Sequence, residues 1–175
     1  MSILSHYNIG FKGLSIGKHI FEFETDDKFF GEFDGGVVDQ GLVKVHLTLD
    51  KQSSLMTFWF DLKGTVRVQC DRCLELYDQP VEGRERIFVR FGEKESAQGD
   101  DLIWVSPNDY QLNVAQLVYE FICLAIPIKR VHPEDENGHS TCDPEMIERL
   151  NQYVVREEEQ SNPVWKDLKK LLDNE

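Results

Sequence analysis

The chain has 175 residues, 41% of them hydrophobic and 29% charged, a balance that excludes wholesale disorder and supplies enough apolar side chain for a core. Lys and Arg number 19 against 32 Asp and Glu, so the formal net charge of −13 repels phosphate backbones, and broad non-specific nucleic-acid binding is not expected. No apolar run approaches the roughly 20 residues of a membrane-spanning helix, and the opening MSILSHYNIGFKG lacks the basic and apolar regions of a signal peptide, which makes the cytoplasm the expected compartment.

Residues 1–91 read as strands. Short candidates lie at Tyr7 to Phe11 and Lys18 to Glu24, with turns supplied by Gly35-Gly36 or the Gly41 region. From Leu42 to Asp50, Val43, Val45, Leu47 and Leu49 alternate with polar residues, the period of a strand with one wet face. Past the turn Lys51 to Ser54, Met56, Phe58, Phe60 and Leu62 share one side of the next strand. Lys63-Gly64 reads as a turn or kink, and Val66 and Val68 continue the alternation to Cys70. After a polar stretch ending at Pro80, Arg86 to Phe91 gives another strand, with Ile87, Val89 and Phe91 inward. Strands that follow one another without helices imply an antiparallel meander. The aromatics Phe29, Phe30, Phe58, Trp59 and Phe60 read as core and not as a platform for stacking bases, because strand alternation accounts for them. His6, His19 and His46 fall where an imidazole faces solvent or is hydrogen-bonded.

Residues 92–101, GEKESAQGDD, form an acidic surface loop, and Leu102 to Val105 adds a last short strand. The period then becomes helical. Asn113 is placed as an N-cap with Gln116 as its capping-box partner, and Val114, Leu117, Val118, Phe121, Leu124 and Ala125 form a stripe that Ile126-Pro127 ends. Asp143-Pro144 opens a further helix to about Arg156, and Asn162-Pro163 opens a short amphipathic one with Val164, Trp165, Leu168, Leu171 and Leu172. The expected fold is one α+β domain over residues 1–175, mainly β over 1–91 and mainly helical over 102–175. Its antiparallel sheet is curved or barrel-like, with the Asn113 helix and the C-terminal helices packed against it.

Cysteines in a reducing compartment are read as thiols, and Cys70-Asp71-Arg72-Cys73 places two of them where both can reach one ion from a tight turn. Tetrahedral zinc needs two more ligands. His139-Ser140-Thr141-Cys142 supplies them, or Cys142 with His132 of the same loop, so the candidate site is Cys70, Cys73 and Cys142 with His132 or His139, holding one structural zinc ion. The bland alternative is a turn with buried thiols and exposed histidines. Cys123 lies within a helix and reads as a small packed thiol. A redox role would need Cys70 at a helix start, yet it ends a strand. No phosphate-binding loop, nucleophile elbow or metalloprotease motif is present, so no catalytic residue is assigned.

Several of these pieces together resemble one family. Cys70-Asp71-Arg72-Cys73-Leu74 after a strand, the acidic loop, Leu124-Ala125-Ile126-Pro127 followed by Ile128-Lys129-Arg130-Val131-His132, the later Cys142, and Asn162-Pro163 before a Leu- and Lys-rich end are similar to the YceD proteins, described as large ribosomal RNA subunit accumulation proteins. The resemblance implies a bacterial or organelle-derived cytosolic factor for large-subunit ribosomal RNA with no catalytic activity. It matches Cys70, Cys73, His132 and Cys142 to positions that carry Cys or His in the family. The function expected is therefore non-enzymatic support of ribosome biogenesis, with a general protein-binding module or a thiol-dependent redox enzyme as alternatives. Expected partners are large-subunit components, reached through a basic ribosomal protein or through local patches at Lys129-Arg130 and at Lys166, Lys169 and Lys170, with no membrane and no small-molecule substrate.

Overall fold

A computed structural model describes residues 3–92 and 102–153. A 3-10 turn, Ile3–Tyr7, leads into β1 (Asn8–Gly10), β2 (Gly17–Thr25), α1 (Asp27–Phe30), β3 (Gly41–Lys51), β4 (Leu55–Gln69), β5 (Leu76–Phe91), β6 (Leu102–Val105), β7 (Gln111–Asn113), α2 (Ala115–Leu124) and α3 (Pro144–Tyr153). Five strands form one sheet in the order β2-β3-β4-β5-β6, while β1 and β7 make a separate antiparallel pair. The α+β class expected from the sequence is the one observed, with β2 to β5 an antiparallel meander. Closure into a barrel is not realised, because β2 and β6 stand at opposite ends of the strand order. β6 also departs from the antiparallel expectation: it runs parallel to β5, with Phe88 opposite Leu102 and Phe91 opposite Val105.

One face of the meander builds the core. Val43, Val45, Leu47 and Leu49 of β3 meet Met56, Phe58, Phe60 and Leu62 of β4, paired as Val45 with Leu62, Leu47 with Phe60 and Leu49 with Phe58. Each such side chain, fully withdrawn from water, contributes about 1.5–3 kcal/mol. α1 and α2 cover this face. The Phe121 ring of α2 meets Phe60 edge-on at 5.1 Å, and Phe29 of α1 lies 4.8 Å from Tyr7, which in turn stacks on Phe23 of β2.

Two expected breaks are absent. Lys63-Gly64 does not turn the chain, since β4 runs unbroken from Leu55 to Gln69 with Gly64 opposite both Val43 and Val81. Glycine serves close approach there: a Cβ would sit 2.1 Å from the Leu42 carbonyl oxygen and 2.6 Å from the Val43 Cα. Pro80 likewise lies inside β5, opposite Thr65, at a point where β5 has no second neighbour because β6 reaches only Phe88 to Phe91. The Pro80 carbonyl accepts from the Gln79 side chain, and a proline on a strand edge without a second neighbour leaves no ladder donor missing on that side.

The end of α2 and the start of α3 follow the sequence, α1 is a helix the sequence reading did not place, and one cap differs. Asn113 belongs to β7, donating from Nδ2 to the Leu4 carbonyl and to Asn8 Oδ1, while its Oδ1 accepts from the Ala115 amide. Val114 occupies the cap position, and Gln116 donates to Glu120, so the capping box does not form. The buried face of α2 is also rotated from the expected stripe. Tyr119 and Ile122 are inside and Leu124 is exposed, because the Tyr119 hydroxyl accepts from the Val37 amide and its ring stacks on Phe33 at 4.2 Å. α3 begins as expected, with Asp143 accepting from the Glu145 and Met146 amides. It buries no residue fully and rests on the core through Met146 and Ile147. Its expected end near Arg156, the Asn162-Pro163 helix and most of the acidic loop lie outside the described residues.

Candidate metal centre

The turn between β4 and β5 is fixed by its own backbone. The Cys70 amide donates to the Glu75 carbonyl at 2.8 Å and the Leu74 amide to the Cys70 carbonyl at 3.0 Å. Leu74 adopts φ 65°, a left-handed conformation rare for a residue with a branched side chain, and the Gln69 side chain holds its carbonyl at 2.9 Å. Within this turn the Arg72 amide points at Cys70 Sγ, 3.4 Å away. Both cysteine side chains face the core, at 0% and 2% exposure.

Asp71 brings the second half of the group to the first. Its amide donates to the Arg130 carbonyl at 2.7 Å, and its carboxylate accepts from the Arg130 amide at 2.7 Å and from the guanidinium at 3.1 Å. This clamp seats the segment after α2 against the turn and sets His132 over Cys73. Beyond it the chain folds back on itself through a bridge between Glu134 and Ser140, with Gly138 at φ +80° in the turn, and the Thr141 hydroxyl donates to the Pro133 carbonyl. That reversal returns Cys142 to the site just ahead of the Asp143 cap.

Four donor atoms converge. Cys70 Sγ lies 3.8 Å from Cys142 Sγ, and Cys73 Sγ lies 3.4 Å from His132 Nδ1. All four donors lie within 4.8 Å of one another. Zinc–sulfur bonds of about 2.3 Å and zinc–nitrogen bonds of about 2.0–2.1 Å place tetrahedral neighbours about 3.8 and 3.6 Å apart, so these two edges have the size of a zinc tetrahedron. The three sulfurs are free thiols, and the donor set, three Cys and one His, is one that structural zinc takes. The residues present fit the ion.

His139 stays apart. It sits at the tip of the reversal, its ring 78% exposed and 3.4 Å from Asp135, so of the two candidate histidines the structure brings His132 to the cysteines and leaves His139 in solvent. Cys123 is half-buried on α2 and outside the group; burial pushes its thiol up. Of the local cations offered for contacts, Arg130 is engaged by Asp71, Lys129 is exposed, and Lys166, Lys169 and Lys170 lie outside the described residues.

The electrostatics of the group come from burial and aimed amides. Burial raises the Cys70 thiol, but the Cys73, Arg72 and His132 amides and the His132 side chain outweigh it and bring the thiol down to about 6. Cys73 goes up, first by burial and then by sharing the site with Cys70 and Cys142, despite the Asp143 and Glu75 backbone contacts. Tyr77 backs the centre, its ring 4.6 Å from that of His132, with its hydroxyl donating to Gln79. Sequence reasoning missed both Tyr77 and the Asp71–Arg130 clamp. The only signal for the clamp was opposite charge at two positions, which gives no distance.

No curated protein and no solved structure matches the chain. A family model does, from residue 59 in the middle of β4 to residue 172, a span that includes Cys70, Cys73, His132 and Cys142. By that match the chain belongs to the YceD family, the large ribosomal RNA subunit accumulation proteins.

Proposed function

We propose that this chain is a non-enzymatic, cytoplasmic factor that supports accumulation of large-subunit ribosomal RNA, and that Cys70, Cys73, His132 and Cys142 hold one structural zinc ion. The observation that carries the first part is membership of the family over residues 59–172. The second rests on the convergence of three thiols and one imidazole. Four protein ligands would leave the ion no open position for a substrate or an activated water, the arrangement of a structural site and not of a catalytic one. Bound there, zinc would tie the segment after α2 to the β4–β5 turn. Residues 1–175 are taken as a single domain, since the described core joins residues of both halves in one cluster.

Depletion in the native host, followed by sucrose-gradient ribosome profiles and a pull-down, tests the biological role. The expected result is a deficit of large-subunit RNA with co-purifying large-subunit components, and a normal profile would overturn it. Metal analysis of protein purified without added zinc or chelator tests the site, with one equivalent expected for the wild type and loss of it in Cys70→Ser. A second reading, a protein-binding module, is favoured by the exposed apolar residues Leu74, Leu76, Leu124 and Ile128, three of them on segments that flank the centre. A normal ribosome profile together with a non-ribosomal partner in the pull-down would select it.

A further inference from the structure

The sheet has a second face, and the described helices leave it bare. α1 and α2 lie on the opposite side, with Phe121 against Phe60 and the Ala125 side chain close to Gly83. Of the aromatics expected in the core, Phe29, Phe30, Phe58 and Phe60 are fully buried, but Trp59 points the other way and is only partly buried. Strand register places its neighbours. Trp59 is opposite Arg86, Thr57 opposite Phe88 and Leu55 opposite Arg90, and β6 adds Leu102 beside Phe88 and Trp104 beside Arg90. Paired residues share a face, so Trp59, Phe88 and Trp104 line one end of the outer surface together with Arg86 and Arg90. Ile20 and Thr48 continue the Trp59 row across β2 and β3, and in the next row Asp50 lies between Lys18 and Thr57.

Of the other cations on the face, Lys44 forms no ion pair among the described residues and three do. Arg84, Lys63 and Arg67 each hold a carboxylate, from Asp61, Glu82 and Asp78. Arg86 and Arg90 have no such partner among the described residues, whereas Lys18 stands directly opposite Asp50. The Arg86 guanidinium instead lies over two rings, 5.0 Å from the Trp59 centroid and 4.6 Å from that of Phe88. In a chain with 32 acidic residues, two unpaired arginines among partly exposed aromatics are complementary to a ligand that is both anionic and flat.

We propose that this end of the outer face binds single-stranded RNA, with bases stacking on Trp59, Phe88 and Trp104 and phosphates meeting Arg86 and Arg90. The idea rests on the proposed role in ribosomal RNA accumulation and names the surface through which the chain touches RNA. Open sheets with outward aromatics accept splayed bases in this way, whereas a flat sheet offers nothing to enter the grooves of an RNA duplex. An acidic peptide could pair with the arginines but would leave the ring faces unused. The net charge of −13 opposes the long-range approach of RNA, so the contact is local, its affinity modest and its salt dependence shallow.

The test is fluorescence anisotropy of labelled oligouridine titrated with the whole chain, alongside quenching of intrinsic tryptophan emission. Two phosphate contacts would give a log–log salt slope of about −1.4 for a single strand. Removing one stacking ring by Trp104→Ala should weaken binding about five- to hundredfold. The double variant Arg86→Glu, Arg90→Glu should abolish it, while Lys63→Glu, on the same face but outside the cluster, should leave it within about twofold. Thermal melting of each variant separates lost binding from lost fold, and the Arg90→Glu single variant serves if the double variant does not fold. The proposal is overturned by absence of binding at low salt, by equal binding of duplex RNA or oligoglutamate, or by folded arginine variants that bind as wild type. Expressed in the depleted host, a folded variant that has lost RNA binding yet restores the ribosome profile would sink this surface and leave the proposed role standing. A normal profile on depletion, with oligouridine still bound, would do the reverse.

Discussion

Between Gly41 and Phe91, alternate side chains are locked by neighbours on adjacent strands, and the interior ones are almost completely buried. Between residues 127 and 143 only Cys142 is buried, and order comes from a few specific contacts: the Asp71–Arg130 clamp, the Glu134–Ser140 bridge and the convergence of donors on one point. The first region is held by many small, non-directional contributions, so it tolerates the loss of any one polar contact. The second has little apolar area to bury and depends on directional bonds. A metal ion is the device by which a short polar segment gains stability that its core cannot supply.

The largest effect should come from removing the proposed zinc ion. Apparent zinc-binding energies of about 10–16 kcal/mol in small structural sites exceed any single side chain here. Chelation of zinc-loaded protein should therefore release residues 127–143 to protease and to amide exchange while β3 and β4 keep their protection. Collapse of the whole sheet on chelation would break the comparison, and no change anywhere would show that the segment needs no metal.

Next come substitutions in the sheet. Phe60→Ala empties a fully buried site between β3 and the Phe121 ring, and should cost about 3–5 kcal/mol in urea denaturation, with zinc content of the folded fraction unchanged. Gly64→Ala should cost about 1–3 kcal/mol through forced separation of β3 and β4, since the new methyl group meets backbone that cannot rotate aside. A neutral Gly64→Ala would mean that the strands part locally at little cost.

These sites also mark what the sequence could and could not disclose. The inward residues of β3 and β4 were legible because period-two alternation is a local signal that the sheet merely uses. Gly64 and Pro80 misled because both residues usually punctuate a chain; here the glycine admits a close neighbour strand and the proline faces an unpaired edge. Asn113 carries a capping signal and its Oδ1 does accept the Ala115 amide, but it does so from β7, where Nδ2 is held by Leu4 and Asn8, and Val114 takes the cap position itself. In the centre, the C-x-x-C spacing was visible, whereas the choice between His132 and His139 was not. Both histidines lie in one polar segment, and a contact 59 residues away in sequence, between Asp71 and Arg130, decides which approaches the cysteines.

That contact gives a smaller and more local prediction. Asp71→Ala removes two acceptors from the Arg130 amide and guanidinium, at an exposed site where solvent screens much of the ion pair. The expected outcome is faster amide exchange at Arg130 and quicker loss of zinc to a competing chelator, with the urea midpoint of the sheet barely moved. Unchanged zinc release would show that the four ligands alone position the segment.

The smallest effect concerns Asp135 at the base of the His139 reversal. The His139 amide donates to its carboxylate at 2.8 Å and the Asn137 amide at 2.9 Å, and these bonds, the His139 one foremost, hold the carboxyl below its ordinary value of 3.8. A group whose pKa is depressed in the folded state adds stability that is fully present above the unfolded value and is lost as pH falls through the folded one. The tip of the reversal should therefore keep its order at neutral and mildly acidic pH and loosen only below about pH 3.8, the ordinary value from which the shift starts. Amide exchange at Asn137 and His139, followed across that window, measures it, and Asp135→Asn should make both amides exchange faster at neutral pH without altering zinc content. Because His139 lies outside the donor group, a loss of zinc in Asp135→Asn would mean that the tip and the centre are one cooperative unit and that the boundary drawn between them is wrong.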